Sequence, residues 1–484
     1  MSVTQRKKQL KSRSKRWKAH KYQLKCIARA SMERFLALFL DPGLGKTTII
    51  LQTFKQRKYS DDPVTSMLVV APLRPAFLVW PKEIKKWPNF KNLSVGVLHN
   101  DWGQPKEQTL KEKHDVYVIN PAGLAWLIKQ LKGKRRDKWP FQMLVVDEST
   151  KFKNMSAVQF KNLKKLIPGF FCRYILTGTP APNGLLNIQG QFYIVDQGET
   201  FGQYKTHFRD DYFRQVGDPK WKQFEVREDK IDEIYRKASK YAIRMEAKDY
   251  LDLPEKIVNY IEVKLPRKIR KQYDSLEKEF FAEFKGKEIN AITGGVKRLK
   301  LRQIANGAIY EDLDPLAKMP KANDRKYIDL HNEKLDALED LVDELEGKPI
   351  LVAYSFKHDL IKLKKRFGKN LVTMDGVSMK QAEKIERDWN RGKIPILALY
   401  PGTNALGLNL QQCGQDVCWY SLTDDLEAYD QFVLRVLRQG NDRECVRVHH
   451  IIAENTTDSI LLNQLGVKDG VQMSFLDAVK KYQS

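Results

Sequence analysis

Ten short, mainly apolar runs, none longer than six residues, divide this chain into two series of five. The first comprises FLALFL (35–40), MLVVA (67–71), VYVI (116–119), MLVV (143–146) and YIL (174–176). The second comprises PILVAY (349–354), NLVTMD (370–375), PILALY (395–400), DVCWY (416–420) and VHHIIA (448–453). Such short, continuous runs suit parallel strands covered on both faces, with helices as crossovers. Residues 200–285 interrupt the pattern; they read as helical, aromatic and highly charged, with no buried strand. The pattern predicts an α/β fold of two doubly wound parallel-sheet lobes with helical insertions between them. Ligands of such sheets sit at the carboxyl ends of the strands, which is where chemistry is sought.

Charge narrows the partners. Across 484 residues, 85 Lys and Arg stand against 60 Asp and Glu, leaving +25. Self-repulsion of that size disfavours a compact fold unless a polyanion uses it, so nucleic acid is the first partner to consider and an acidic membrane surface the second. No apolar run approaches the ~18 residues of a membrane span and there is no secretory signal, which predicts a soluble, cytoplasmic protein without a membrane partner. The five cysteines form no CxxC pair, and buried thiols are expected rather than zinc ligands. The first 32 residues contain no acid, and ten basic residues lie from Arg6 to Lys25. Residues 1–20 are therefore a basic tail, open to reading as a solvated segment, a phosphate-contacting arm or a localisation signal.

The first strand runs directly into Asp41-Pro42-Gly43-Leu44-Gly45-Lys46-Thr47-Thr48, followed by the apolar helix start Ile49-Ile50-Leu51. Glycines let the backbone wrap a phosphate with its N–H groups, and the helix N-terminus adds its dipole. Lys46 would reach the outer phosphates and the Thr47 hydroxyl would ligate Mg²⁺. The full GxxxxGKT pattern asks for glycine at position 40, where this chain has Leu. The MLVV run ends in Asp147-Glu148. Adjacent carboxylates at a strand end fit Asp147 holding the metal and Glu148 orienting or deprotonating the attacking water.

These motifs, taken with those that follow them, resemble the superfamily 2 helicases, and among them the Swi/Snf-type double-stranded DNA translocases of compact phage and bacterial form. The resemblance runs roughly from Lys21 to Ile460. It rests on Tyr22-Gln23 before the P-loop, Val70-Ala71-Pro72-Leu73 with Trp80, Glu83 and Trp87, and Asp147 to Asn154. Further motifs are Leu176 to Pro180, Tyr354-Ser355, Gly407 to Gln411, and Asp430-Gln431 followed by Arg435, Arg438, Gln439 and Gly440. It implies two RecA-like lobes, ATP and Mg²⁺ as cofactors, and a DNA-dependent ATPase. Lys46, Asp147, Glu148, Arg435 and Arg438 are the catalytic set; Gln23, Gly43, Gly45, Lys46, Thr47, Thr48 and Gly407 hold the nucleotide, with Thr47 and Asp147 on the metal. Arg435 and Arg438, three apart, would share a helix face and serve as arginine fingers. Two departures from the family pattern, Asn404-Ala405 and Leu434, touch strand and ribose contacts rather than hydrolysis.

By the same resemblance, Arg74, Asn120, Lys153, Thr179, Ser355, Thr403 and Asn404 line the DNA path. Phosphate contacts dominate such a path and carry no sequence information. Basic clusters at 129–138, 161–165, 264–271, 297–302 and 362–366 extend it. Tyr273, Phe280, Phe281 and Phe284 fit a small helix–helix core in a protrusion. The domains expected are a tail (1–20), lobe 1 (21–252), a protrusion or linker (253–330), lobe 2 (331–466) and a C-terminal helix (467–484). The function expected is an ATP-driven translocase or helicase on duplex, forked or junction DNA, acting as a monomer, with a targeting protein as a further partner. The alternatives are an RNA helicase and a DNA-binding scaffold without productive ATPase. Asp252, Glu262 and Lys264 mimic a nuclease triad, but Pro254 breaks the run and no supporting site follows.

Overall fold

The computed structural model describes residues 16–61, 63–182, 184–216, 223–286, 291–311, 325–402 and 407–482. They fall into two compact units, residues 1–251 with 470–484, and residues 252–469.

In the first unit, six strands follow in chain order: β1 (Phe35–Leu40), β2 (Met67–Val70), β3 (Val95–Val97), β4 (Val116–Ile119), β5 (Met143–Asp147) and β6 (Cys172–Thr177). A small antiparallel hairpin, β7 (Phe213–Val216) and β8 (Gln223–Val226), precedes β9 (Ala242–Met245). The main sheet is ordered β3-β4-β2-β5-β6-β1-β9, and every pairing in it is parallel. Its strands are buried on both faces, which is why their sequences are continuous rather than alternating. One face packs Phe39, Val70, Ile119 and Val146 against Leu163, Phe192 and, from the C-terminal helix, Phe475.

The second unit carries β10 (Glu255–Val263), a two-stranded pair of β11 (Ala308–Tyr310) and β12 (Tyr327–Asp329), then β13 (Ile350–Ala353), β14 (Leu371–Thr373), β15 (Ile396–Leu399), β16 (Asp416–Trp419) and β17 (Cys445–Ala453). Its sheet runs β10-β17-β16-β13-β15-β14, again all parallel. Two apolar clusters, one around Trp389 and Trp419 and one around Leu338 and Tyr420, cover its strands. The helices Arg267–Gly286 and Ala291–Ala305 contribute Ile269, Tyr273, Leu301 and Ile304 to a separate small core, as expected for Tyr273. The side chains of Phe280, Phe281 and Phe284 lie outside the described residues.

All ten expected strands form, and the two-lobe α/β architecture is as read. The segment 200–285 departs from expectation, because it contains β9, fully buried at the sheet edge, and β10. The apolar signal of β9 is broken by Arg244, which is 3% exposed and ion-paired with Asp41. A buried guanidinium is tolerated only with such a partner, and pairing across 203 residues leaves no mark in local sequence. The three-residue β3 is too short to register as a run.

Candidate nucleotide and nucleic-acid sites

Because each sheet is parallel, the carboxyl ends of its strands emerge on one side. In the first unit that edge carries the segments after β1 (Asp41 to Lys46), β2 (Arg74), β4 (Asn120), β5 (Asp147-Glu148) and β6 (Thr179).

The P-loop forms as read. Gly45 sits at φ +79 as the N-cap of the helix Lys46–Lys58, a conformation that favours glycine. A Cβ there would come within 2.6 Å of Gln23 Nε2, so the loop and the residue expected to read the base are in direct contact. Gln23 Nε2 donates to the Leu44 carbonyl at 3.1 Å, and its Oε1 accepts from His20 N at 2.9 Å. Tyr22 packs beside it with its ring 4.5 Å from that of Tyr250, and burial pushes its hydroxyl up to about 12. Lys46 Nζ donates to the Leu40 carbonyl at 2.8 Å. Position 40 therefore serves through its backbone oxygen while its side chain lies in the core, which accommodates Leu where the longer motif has glycine.

Asp41 is a positioning residue that local reasoning passed over. Its carboxylate pairs with the Arg244 guanidinium and accepts from Ala247 N at 2.9 Å, fastening the P-loop to the end of β9. Gly178, after β6, closes on the same loop; a Cβ there would meet Pro42 Cδ at 3.1 Å.

Asp147 ends β5 at 9% exposure. Burial raises its carboxyl above the usual carboxylate range; the Trp80 indole, the Lys46 ammonium and the Glu148 backbone N–H oppose that rise. Trp80 is fully buried and donates Nε1 to Asp147 Oδ2 at 3.0 Å. Trp87 Nε1 in turn donates to Glu83 Oε2 at 2.8 Å, so each tryptophan of the Trp-Glu-Trp spacing donates to a carboxylate, Trp80 to a remote one and Trp87 to one four residues back. Glu148 follows with φ +53, a left-handed conformation that costs a non-glycine residue on the order of 1 kcal/mol and is held by its surroundings. Ser149 Oγ donates to Gln191 Oε1 at 2.7 Å, and Gln191 Nε2 donates to the Pro180 carbonyl at 2.6 Å. Gln191 thus ties the Asp147–Asn154 motif to the Leu176–Pro180 motif, a role that nothing in its neighbourhood announces.

Thr47 and Asp147 offer hard oxygen donors on neighbouring elements. A divalent cation that keeps several waters and phosphate oxygens needs no fuller protein cage, and its charge would offset the burial cost at Asp147. The residues present fit Mg²⁺.

In the second unit the helix Leu426–Val433 ends before both arginines, so Arg435 and Arg438 do not share a helix face. The last turn tightens, with Arg435 N donating to Phe432 O and Val436 N to Val433 O. Arg435 is buried; its Nε donates to Gln431 O at 2.9 Å and its Nη1 to Leu408 O at 3.3 Å. Arg438 is half-buried and donates Nη1 to Asn409 Oδ1 at 2.8 Å. Both arginines therefore hold the loop that opens at Gly407, φ +76.

Of the residues expected on the DNA path, Arg74 is half-buried at the start of the turn Pro75–Val79. Asn120 accepts from Gly123 N at 3.1 Å, which commits its side-chain oxygen to a cap. Lys153 is half-buried after the Ser149–Phe152 turn. Thr179 is 7% exposed, and its Oγ1 has no hydrogen-bond partner among the described residues. Ser355 Oγ donates to Leu422 O at 3.1 Å. Thr403 and Asn404 lie outside the described residues. Two members of the 362–366 basic cluster are corrected: Lys362 is 4% exposed and bonded to Asp329, Gly307 O and His331 O, while Arg366 pairs with Asp336 and Glu339; Lys364 and Lys365 are exposed. Buried and paired cations of this kind serve the fold.

Two family models and several known proteins match this chain. The SNF2-related domain family matches residues 22–309, and the helicase conserved C-terminal domain matches residues 333–440. The chain is 34% identical over 452 residues to putative protein p41 of Acyrthosiphon pisum secondary endosymbiont phage 1, covering 91% of this chain and 94% of that protein. It is 24% identical over 454 residues to the Bos taurus DNA annealing helicase and endonuclease ZRANB3, spanning 38% of that protein's length. Among solved structures, the Sulfolobus solfataricus SWI2/SNF2 ATPase core in complex with dsDNA is similar at 20% identity, with 96% of this chain and 95% of that one covered, at a TM-score of 0.42. Among the described residues, no helix is long and apolar enough to cross a membrane. The chain belongs to the SNF2-related branch of the superfamily 2 helicases and is an ATP-hydrolysing, DNA-dependent translocase.

Proposed function

We propose that this chain binds Mg-ATP through Gln23, Gly43, Gly45, Lys46, Thr47, Thr48 and Asp147, and that it spends the hydrolysis on tracking along duplex or branched DNA. Forks, junctions or proteins bound to the duplex are what it remodels. Lys46 sits against the outer phosphates, and Glu148 orients the attacking water and takes its proton. Arg438 supplies positive charge to the phosphoryl group in transfer, while Arg435 chiefly positions the loop after Gly407. Thr47 and Asp147 would hold Mg²⁺, which would supply charge neutralisation at the phosphates. Arg74, Asn120, Lys153, Thr179, Ser355, Thr403 and Asn404 contact the DNA backbone.

The observation that carries this reading is the buried Asp147, raised by desolvation and steered by Trp80, beside the Lys46 of an intact P-loop. The bovine relative's name, a DNA annealing helicase, favours branched DNA over RNA as the track. The test is ATP turnover measured with single-stranded, duplex, forked and four-way DNA, and with RNA. Stimulation by duplex or branched DNA above RNA is expected. Lys46→Ala and Glu148→Gln should abolish turnover while leaving DNA binding intact, and unchanged turnover in either variant would sink the assignment.

A further inference from the structure

The second sheet ends in β10, a nine-residue edge strand with no second neighbour among the described residues. Most edge strands of parallel sheets are short or covered. This one exposes Ile257 at 37%, Val258 at 38% and Tyr260 at 59%. Hydrogen bonds from Glu255 N to Glu444 O, and from Glu454 N to Val263 O, fix its parity. Odd-numbered residues turn their amides toward β17, and the even-numbered residues 256, 258, 260 and 262 present N–H and C=O groups to the open edge.

The strand's sequence, Glu255-Lys256-Ile257-Val258-Asn259-Tyr260-Ile261-Glu262-Val263, is close to a palindrome about Asn259. Laid antiparallel against a second copy with Asn259 on the two-fold axis, Lys256 falls opposite Glu262, Ile257 opposite Ile261, and Val258 opposite Tyr260. The even-numbered pairs are those whose amides face the open edge, so the register that joins opposite charges also completes the backbone bonds. The two-fold makes the Lys256–Glu262 pair occur twice, and self-complementarity is what an isologous dimer interface requires. Adjacent registers, shifted by two residues, place Lys256 opposite Tyr260 or opposite Lys264, a like charge, and lose both charge pairs.

We propose that the β10 edge is a homodimer interface, in which two copies of the chain join their second-unit sheets antiparallel about Asn259. One strand pair covers less surface than the ~1,200 Å² of a stable complex, so the dimer is weak and depends on concentration. The monomer expected from sequence is the state at high dilution.

Sedimentation equilibrium of the full chain across the micromolar range tests this. The expected result is a shift from the mass of one chain toward twice that mass as concentration rises. Lys256→Glu places like charges opposite each other twice and should weaken association at least tenfold; adding Glu262→Lys restores the opposite charges and should recover it. Val258→Pro removes an N–H that faces the open edge rather than β17, and should abolish dimers without reversing any charge. Each variant is checked for the wild-type unfolding midpoint, so loss of association is separable from loss of fold. A chain that stays monomeric throughout leaves the edge to a strand of another protein or to none, and overturns the proposal. So does association that is indifferent to Lys256→Glu and Val258→Pro. The outcome is independent of ATP turnover.

Discussion

Trp80 donates its indole N–H to Asp147 Oδ2 at 3.0 Å, and that bond opposes the rise in pKa that burial imposes on a carboxyl at the end of a fully buried strand. Sixty-seven residues separate the two in sequence. An aromatic side chain in the Pro72–Trp87 segment thereby acts on the carboxylate proposed to hold the metal.

The sign of its contribution can be measured. Burial raises the Asp147 pKa and Trp80 lowers it, so Trp80→Phe, which keeps most of the packing, should raise it further. The acidic limb of the pH–turnover profile should then move to higher pH, with turnover reduced about tenfold at a pH below neutral and less above it. A uniform loss at all pH values would assign Trp80 a packing role only.

Arg435 and Arg438 should separate. Arg435→Ala leaves the carbonyls of Gln431 and Leu408 without their donor, and should cost on the order of 2 kcal/mol in urea unfolding. Arg438→Ala should leave unfolding nearly unchanged and reduce DNA-stimulated turnover by roughly 10³-fold or more, the range of an arginine finger. The reverse pattern would exchange their roles.

Gly45→Ala tests the contact between the P-loop and Gln23. The added Cβ meets Gln23 Nε2 at 2.6 Å and sits on a backbone with φ +79, so the amide must give way. The KM for ATP should rise and the preference for ATP over GTP should fall. Retained preference would mean that Gln23 does not read the base.

His450 gives the second unit an acid sensitivity. It is 1% exposed, stacks on Tyr260 and Tyr429, and burial holds its pKa down at about 4. The unfolded chain binds a proton near 6.5 while the folded chain does not. Stability is therefore complete above ~6.5 and lost as pH falls toward 4, with up to ~3 kcal/mol at stake. Urea midpoints should fall across that window, and His450→Gln should flatten the fall.

How much of this was legible follows from the range of each interaction. The strands showed because a parallel strand buried on both faces is apolar at most of its positions, a condition written in three to six consecutive residues. The P-loop and the Asp147-Glu148 pair showed for a similar reason: each is one backbone turn, and its chemistry needs particular residue types side by side. Sequence alone determined the fold class, the ATPase motifs and the polyanionic partner.

Tertiary structure decided what supports those motifs. Arg244 hid β9 because its charge is satisfied by Asp41, far away along the chain, and Gln191 joins two motifs from a helix with no motif of its own. Lys362 read as part of a basic track, but the fold buries it against Asp329, removing it from any phosphate. The expectation that Arg435 and Arg438 share a helix face failed because the helix tightens and stops at Val433, which spacing along the chain does not reveal. For Arg244, Gln191 and Lys362 the deciding partner is distant in sequence, and only the folded chain brings it within hydrogen-bonding range.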